Sequence, residues 1–330
     1  MLNAVAQLMV APGKGILAAD ESSATTEKRF SKVGIQNTED NRRAYRELFF
    51  TAPNIGRYIS GIILHDETIR QNASTGESFV NILEDKGILP GIKVDQGLKD
   101  MESSPNEKLT KGLDGLPVRL SEYVSLGAKF AKWRTVITIG AGIPTDANIR
   151  QNTKDLAAYA KHCQEAELVP IVEPEVLMEG SHTMAACGAA SEKVLTALFE
   201  ELKNAGVAVE GLILKTNMVV PGKESGEKAS PVQVAGATLA IFKKVLPNNL
   251  PGEAFLSGGQ SEVEATENLN EMNKHGPHPW KLSFSYARAL QSTALTTWVG
   301  KPENVKAAQA AFIRRAQLNS LATLGKYEGG

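Results

Sequence analysis

Short apolar runs alternate with longer, helix-patterned segments from one end of the chain to the other. The runs are Gly15–Ala19, Tyr58–Leu64, Leu89–Val94, Ala128–Trp133, Leu168–Val172, Gly211–Leu214, Ala254–Leu256 and Lys281–Phe284. Each ends in or beside a polar residue: Asp20, His65, Asp95, Arg134, Glu173, Lys215, Ser257 and Ser285. These ends lie 28 to 45 residues apart, room for a strand, a helix and two loops per unit. The segments between carry helical signals. Val194, Leu195, Leu198, Phe199 and Leu202 form an apolar stripe with Gly206 as a stop, and Leu156, Ala160, Cys163 and Ala166 form a second. Thr38 to Asn41 reads as the acidic first turn of a helix through Tyr45 and Phe49, and Pro302 opens a last helix ending at Gly325. Eight strand–helix units without a Pro/Ser/Gly linker predict an α/β fold of one domain over residues 1–330, a closed (β/α)8 TIM barrel with a C-terminal helix and short tail. An open doubly wound sheet fits less well. Pro12-Gly13-Lys14-Gly15 precedes the first strand, and no G-x-G-x-x-G follows any strand.

Composition narrows the function without naming it. A hydrophobic share of 42% and a charged share of 22% are ordinary for a soluble protein of 330 residues. With 36 basic against 37 acidic side chains there is no global field to attract nucleic acid or an anionic membrane, so any anionic ligand must meet local clusters. The N-terminus has no basic segment followed by a long apolar core, and no run approaches membrane-spanning length. A cytoplasmic location is the expectation, or a plastid one if a transit peptide has been removed. Cys163 and Cys187 read as buried, reduced thiols. His275 and His278 precede the eighth strand and so fall at the end of the barrel opposite the site. His65 is a lone strand-end histidine, and His162 and His182 read as helical, so no metal-ligand set is expected.

The strand ends carry the candidate chemistry. Leu212 to Leu214 reads as a strand buried on both faces that runs into Lys215. Desolvation disfavours the charged form of a lysine so placed, and a neutral amine can attack a carbonyl to form a Schiff base. The plain alternative is a lysine marking the strand's exit into solvent. Lys93 and Asp95, Lys132 and Arg134, and Glu173 and Glu175 are pairs at i and i+2, which share a strand face. Turned inward, they converge with Asp20 and Lys215 at the C-terminal mouth, where barrel enzymes keep their sites. Two interacting carboxylates can donate and accept a proton. A solvated strand end, or an ion-pair network without catalytic consequence, remains the alternative for each pair. Ser257-Gly258-Gly259 and Ser285 to Arg288 follow the seventh and eighth strands, the habitual phosphate position of this fold. A second basic set, Lys28, Arg29 and Arg43, lies near Ser22, Ser23 and Thr25 after the first strand. Two anion sites flanking a nucleophilic lysine suggest a substrate phosphorylated at both ends.

Gly15-Ile-Leu-Ala-Ala-Asp20-Glu-Ser22, Gly91-Ile-Lys93-Val-Asp95, Ala131-Lys132-Trp-Arg134, Val172-Glu173-Pro-Glu175, Leu214-Lys215, Phe255-Leu-Ser257-Gly-Gly-Gln260 and Ser285-Tyr-Ala-Arg288-Ala-Leu stand in one order along the chain. In these motifs, over nearly its whole length, the sequence closely resembles class I fructose-bisphosphate aldolases. The resemblance implies a cofactor-free, metal-independent barrel lyase that interconverts fructose 1,6-bisphosphate with dihydroxyacetone phosphate and glyceraldehyde 3-phosphate. It makes Lys215 the Schiff-base lysine and Glu173 the general acid/base, with Glu175 modulating it. Asp20 would orient the C4 hydroxyl beside the positive charge of Lys132. Ser257, Gly258, Ser285 and Arg288 would hold the 1-phosphate, with Gly259 in the same loop. Ser22, Thr25, Arg29 and Lys93 would face the 6-phosphate, and Arg134 and Arg43 are further candidates. Fructose 1-phosphate, sedoheptulose 1,7-bisphosphate or a non-catalytic bisphosphate-binding scaffold are the competing readings, and a homotetramer is common among such proteins. Ser23-Ala24-Thr25 and Ala287 look like the plastid and cyanobacterial branch. Thr216 stands where many relatives have proline. Many relatives also continue past the position of Tyr327 into a tail ending in a tyrosine that assists proton exchange at C3, which Tyr327 is not expected to replace.

Overall fold

The computed structural model describes residues 1–329. In chain order its strands are β1 Gly15–Ala19, β2 Ile59–Leu64, β3 Leu89–Lys93, β4 Leu98–Met101, β5 Ser104–Thr110, β6 Phe130–Ile137, β7 Val169–Val176, β8 Ile213–Leu214, β9 Gly252–Phe255 and β10 Lys281–Tyr286. All but β4 and β5 close into a parallel barrel in the order β1-β10-β9-β8-β7-β6-β3-β2. The connecting helices lie outside, and two of the longest, Asp146–Glu165 and Met184–Asn204, present the apolar stripes read from the sequence. Thr38 caps the helix Glu39–Phe50 by accepting from the Asn41 N–H, and the last helix, Val305–Ala322, follows a single 3-10 turn at Pro302–Asn304.

Four differences from the sequence pattern matter. β6 and β7 run on through Arg134 and Glu175 to Ile137 and Val176, so their charges sit within strands. The pattern stops them early because a charged residue reads as a strand's end, whereas here opposite charges on adjacent strands neutralise one another. β9 begins at Gly252 and includes Glu253, which the apolar run from Ala254 excluded. β4 and β5 form an antiparallel hairpin with little apolar content, hence no strand signal. His182 lies in a loop before the helix that starts at Met184, not in a helix.

The barrel interior explains where the charges go. Ile16, Ala18, Ile63, Phe130, Val169, Ile171, Ile213 and Ala254 form one buried cluster, plugged from below by Ala6 and Met9 of the helix Leu2–Met9. Phe130 fills so much of this space that a Cβ on Gly91 would collide with its ring and one on Gly61 would stand 2.9 Å from it. Alternation along a strand then puts the next inward residue one layer up. His65 stands above Ile63, Lys93 above Gly91, Lys132 above Phe130, Glu173 above Ile171, Lys215 above Ile213 and Asp20 above Ala18. An apolar floor therefore carries a layer of ionisable groups.

Candidate active site

That layer opens into a cavity of about 1030 Å³ at the C-terminal ends of the strands. Its centre is one carboxylate between two ammonium groups. Glu173 Oε1 lies 3.2 Å from Lys215 Nζ, and Glu173 Oε2 lies 3.5 Å from Lys132 Nζ. Lys132 also reaches Asp20 at 2.7 Å and Asp95 at 3.8 Å. All five side chains are buried. Glu173 and Glu175, which share a face, are pulled apart by their partners, because Arg134 Nε donates to Glu175 Oε2 on the side away from Lys215. Lys93 pairs with Asp95 at 2.5 Å.

The titration of this layer follows from its geometry. Burial alone would raise the Asp20 carboxyl, but the Lys132 and Lys215 ammonium groups outweigh it and hold Asp20 well below the usual carboxylate range. Burial would likewise lower Lys132, yet Asp20, Glu173 and Asp95 raise it above an ordinary lysine. Asp20 is thus an ionised acceptor and Lys132 a fixed cation. His65, at the end of β2, is lowered by burial and by Lys93 and Arg46, which favours the neutral imidazole. Three buried oxygens of cavity-lining residues have no hydrogen-bond partner among the described residues: Glu21 Oε2, Glu173 Oε2 and the Ser285 hydroxyl. The two carboxylate oxygens are ion-paired, to Arg46 at 2.5 Å and to Lys132 at 3.5 Å. The Ser285 hydroxyl has no partner at all among these residues, which costs about 1–3 kcal/mol, a deficit that a polar ligand removes.

Cationic groups bracket this centre. At one side Ser257, Gly258, Ser285 and Arg288 line the cavity. Gly258 and Gly259 have φ of 57° and 99°, the left-handed region that glycine enters freely; Gly258 lines the cavity and Gly259 does not. A Cβ on Gly259 would collide with the Lys223 ammonium and stand 3.7 Å from Arg288, so Lys223 is a cation of this end that the sequence pattern did not single out. At the other side Ser22, Thr25, Lys28, Arg29 and Lys93 line the wall. Ser22 caps the helix Ser23–Phe30, turning that helix's first amides toward the same region. Arg29 is held by Glu21 and, at 3.0 Å, by Gln291 Oε1, so its guanidinium is aimed but partly engaged.

Arg43 is a correction. It pairs with Glu47 at 2.9 Å along its own helix and lies outside the cavity lining, because its position on that helix turns it from the mouth. Tyr327 packs in the core, its backbone clamped on both sides by Asn270 at 2.9 and 3.0 Å. Sequence reasoning passed over Glu21, whose carboxylate joins Arg29 and Arg46, and Glu253, buried beside the residue after Lys215. Glu21 had a signal, its place next to Asp20. Among the described residues no group of three or more His, Cys, Asp or Glu is arranged to hold a metal ion.

Comparisons with known proteins agree with this fold. The model of the family described as fructose-bisphosphate aldolase class-I matches residues 1–330. The chain is 52% identical over 325 residues to a probable fructose-bisphosphate aldolase class 1 of Xanthomonas campestris, covering 98% of this chain and 97% of that one. It is 50% identical over 326 residues to the cytosolic fructose-bisphosphate aldolase 5 of Arabidopsis thaliana, covering 98% and 91%. A solved fructose-bisphosphate aldolase of Plasmodium falciparum, in complex with TRAP and a small-molecule inhibitor, superposes with a TM-score of 0.98 at 49% identity, covering 100% of this chain and 95% of that one. On the match over its whole length, the chain belongs to the class-I fructose-bisphosphate aldolase family.

Proposed function

We propose that this aldolase reversibly cleaves fructose 1,6-bisphosphate to dihydroxyacetone phosphate and glyceraldehyde 3-phosphate, with Lys215 as its Schiff-base residue. The observation that carries the reading is the Glu173 carboxylate held between the Lys215 and Lys132 ammonium groups, with Asp20 on the far side of Lys132. Lys215 Nζ attacks the C2 carbonyl, and Glu173, in reach of that nitrogen, moves the protons needed to form the carbinolamine and expel water. The iminium then accepts the electron pair released when C3–C4 breaks, while the ionised Asp20, beside Lys132, accepts a hydrogen bond from the C4 hydroxyl and orients it. Glu175, fixed by Arg134, modulates Glu173. Ser257, Gly258, Gly259, Ser285 and Arg288 hold the 1-phosphate. Ser22, Thr25, Arg29 and Lys93 face the 6-phosphate, so the two anionic ends set the sugar's direction across the lysine.

The protein acts as a single barrel domain in this reading. Two Arabidopsis relatives described as cytosolic support a cytoplasmic location, and the Ser23-Ala24-Thr25 and Ala287 variants support the plastid and cyanobacterial branch of the family. A homotetramer is the expected assembly, read by light scattering. Borohydride added with dihydroxyacetone phosphate should label Lys215 covalently, and EDTA should leave turnover intact. Labelling of another lysine, or loss of activity to the chelator, overturns the proposal. Relative kcat/KM for fructose 1-phosphate and sedoheptulose 1,7-bisphosphate, measured alongside, places the preferred substrate.

A further inference from the structure

Lys215 stands at the end of the shortest strand of the barrel. β8 has two residues, and its ladder to β9 consists of the single pair Leu214↔Glu253. Beyond it the chain is held largely by side chains. Lys215 N–H still donates to Val172 O at 2.9 Å, and Thr216 O accepts from Leu256 N–H at 3.0 Å. On the β7 side Asn217 Oδ1 accepts the Val176 N–H at 2.9 Å. On the β9 side the Thr216 N–H donates to Glu253 Oε1 at 2.7 Å. Glu253 is fully buried, and its second oxygen has no hydrogen-bond partner among the described residues. It shares a strand face with Phe255, which stacks on Phe242 of the surrounding helix Pro231–Val245, and it is absent from the cavity lining. The carboxyl therefore sits behind the lysine, against the backbone that carries it.

A carboxyl in such a place is costly unless it does something apolar packing cannot. Here it supplies the acceptor for an amide that the truncated ladder leaves open, one residue from the nucleophile. We propose that Glu253 is a positioning residue for Lys215, fixing the Thr216 amide so that the lysine's stem points at Glu173 and the substrate carbonyl. Burial raises the Glu253 carboxyl well above its usual range, more than the Thr216 amide and Lys215 lower it, and Glu173 adds to the rise. Burial thus favours the neutral carboxyl, which holds the amide without placing a second negative charge beside Glu173. Thr216 is the required partner, because a proline there has no N–H to satisfy.

The inference rests on the Schiff-base reading, and the test separates the two. The parent, Glu253→Gln, Glu253→Leu, Thr216→Pro and Thr216→Pro/Glu253→Leu are compared by steady-state kinetics and by the rate of borohydride trapping with dihydroxyacetone phosphate. Thermal melts report folding. Glu253→Leu, which removes the acceptor, should lower kcat and the trapping rate about tenfold or more while KM moves less than about twofold. Glu253→Gln keeps a neutral acceptor and should recover kcat to within about threefold of the parent. Thr216→Pro removes the donor and should, when combined with Glu253→Leu, be less impaired than Glu253→Leu alone, since both partners are then gone. If the leucine variant does not fold, the glutamine variant and the double variant still decide. A glutamine variant as slow as a loss of the acceptor, a double variant showing simple additivity, or a folded leucine variant with the parent's trapping rate overturns the proposal. If the parent itself fails to trap at Lys215, it is the Schiff-base reading that fails.

Discussion

Removing the Lys132 ammonium tests the charge layer directly. Lys132→Met keeps the length and apolar stem of the side chain but deletes a cation that three buried carboxylates share, Asp20 at 2.7 Å, Glu173 at 3.5 Å and Asp95 at 3.8 Å. Lys93 and Lys215 remain near, so the layer is weakened and not stripped. Removing one partner of a buried ion pair costs about 3–5 kcal/mol, because the remaining charge is left uncompensated. At about 2.1 cal/mol/K of unfolding entropy per residue, that corresponds to a fall in Tm of about 4–7 °C for a chain of this length. The sign with pH follows from the two shifts. Asp20 is depressed, so its contribution is full above its unfolded pKa and is lost as pH falls through the lower folded value. Lys132 is raised, so its contribution is full at neutral pH and is lost only as pH rises through its folded value. The Tm gap between parent and Lys132→Met should therefore be largest near neutrality and shrink on strong acidification. Calorimetry across that range, with kcat on fructose 1,6-bisphosphate measured in parallel, checks both. We expect kcat to fall about 10²-fold as Asp20 loses its orientation. A Tm within about 1 °C of the parent at neutral pH, or a gap that widens in acid, refutes the reasoning.

Three other outcomes follow from the same geometry. Arg288→Ala should raise KM for the bisphosphate about tenfold and weaken competition by inorganic phosphate, since a forked cation at the mouth of the Gly258–Gly259 turn is lost. Unchanged phosphate competition would move the anion site elsewhere. Burial raises both the Cys163 and Cys187 thiols, so iodoacetamide should leave the folded protein unmodified and alkylate both in urea, as read by intact mass. The raised Glu253 carboxyl contributes stability that is full below its unfolded pKa and lost as pH rises through its folded value. Glu253→Gln lacks that titration, so its urea midpoint should gain on the parent's as pH rises above the ordinary carboxylate range, and parallel curves would argue against a raised Glu253 carboxyl.

Period and parity were enough to read the barrel and most of the cavity from the residues alone. The i and i+2 spacing of Lys132 and Arg134, or of Glu173 and Glu175, puts both members on one face of a strand. The apolar residue two before each, Phe130 or Ile171, says that this face is the inner one. Glu253 was hidden because a charged residue ahead of an apolar run reads as loop, and its partner Thr216 lies 37 residues away. Arg43 misled because its place with Lys28 and Arg29 after the first strand does not say which partner the side chain meets, and Glu47 lies one turn along its own helix.

What the sequence by itself determined was the set of groups and the layer they occupy, because strand alternation is a local property of the backbone. Which cation meets which carboxylate was decided only by closing the barrel. Closure brings Asp20, Lys132, Glu173 and Lys215, residues far apart in sequence, within an ion pair's reach of one another above an apolar floor. It also leaves β8 too short to satisfy the Thr216 amide, so a buried glutamate completes the support behind the lysine. Neither partner choice nor an incomplete ladder is written in a local pattern, since both depend on distances across strands.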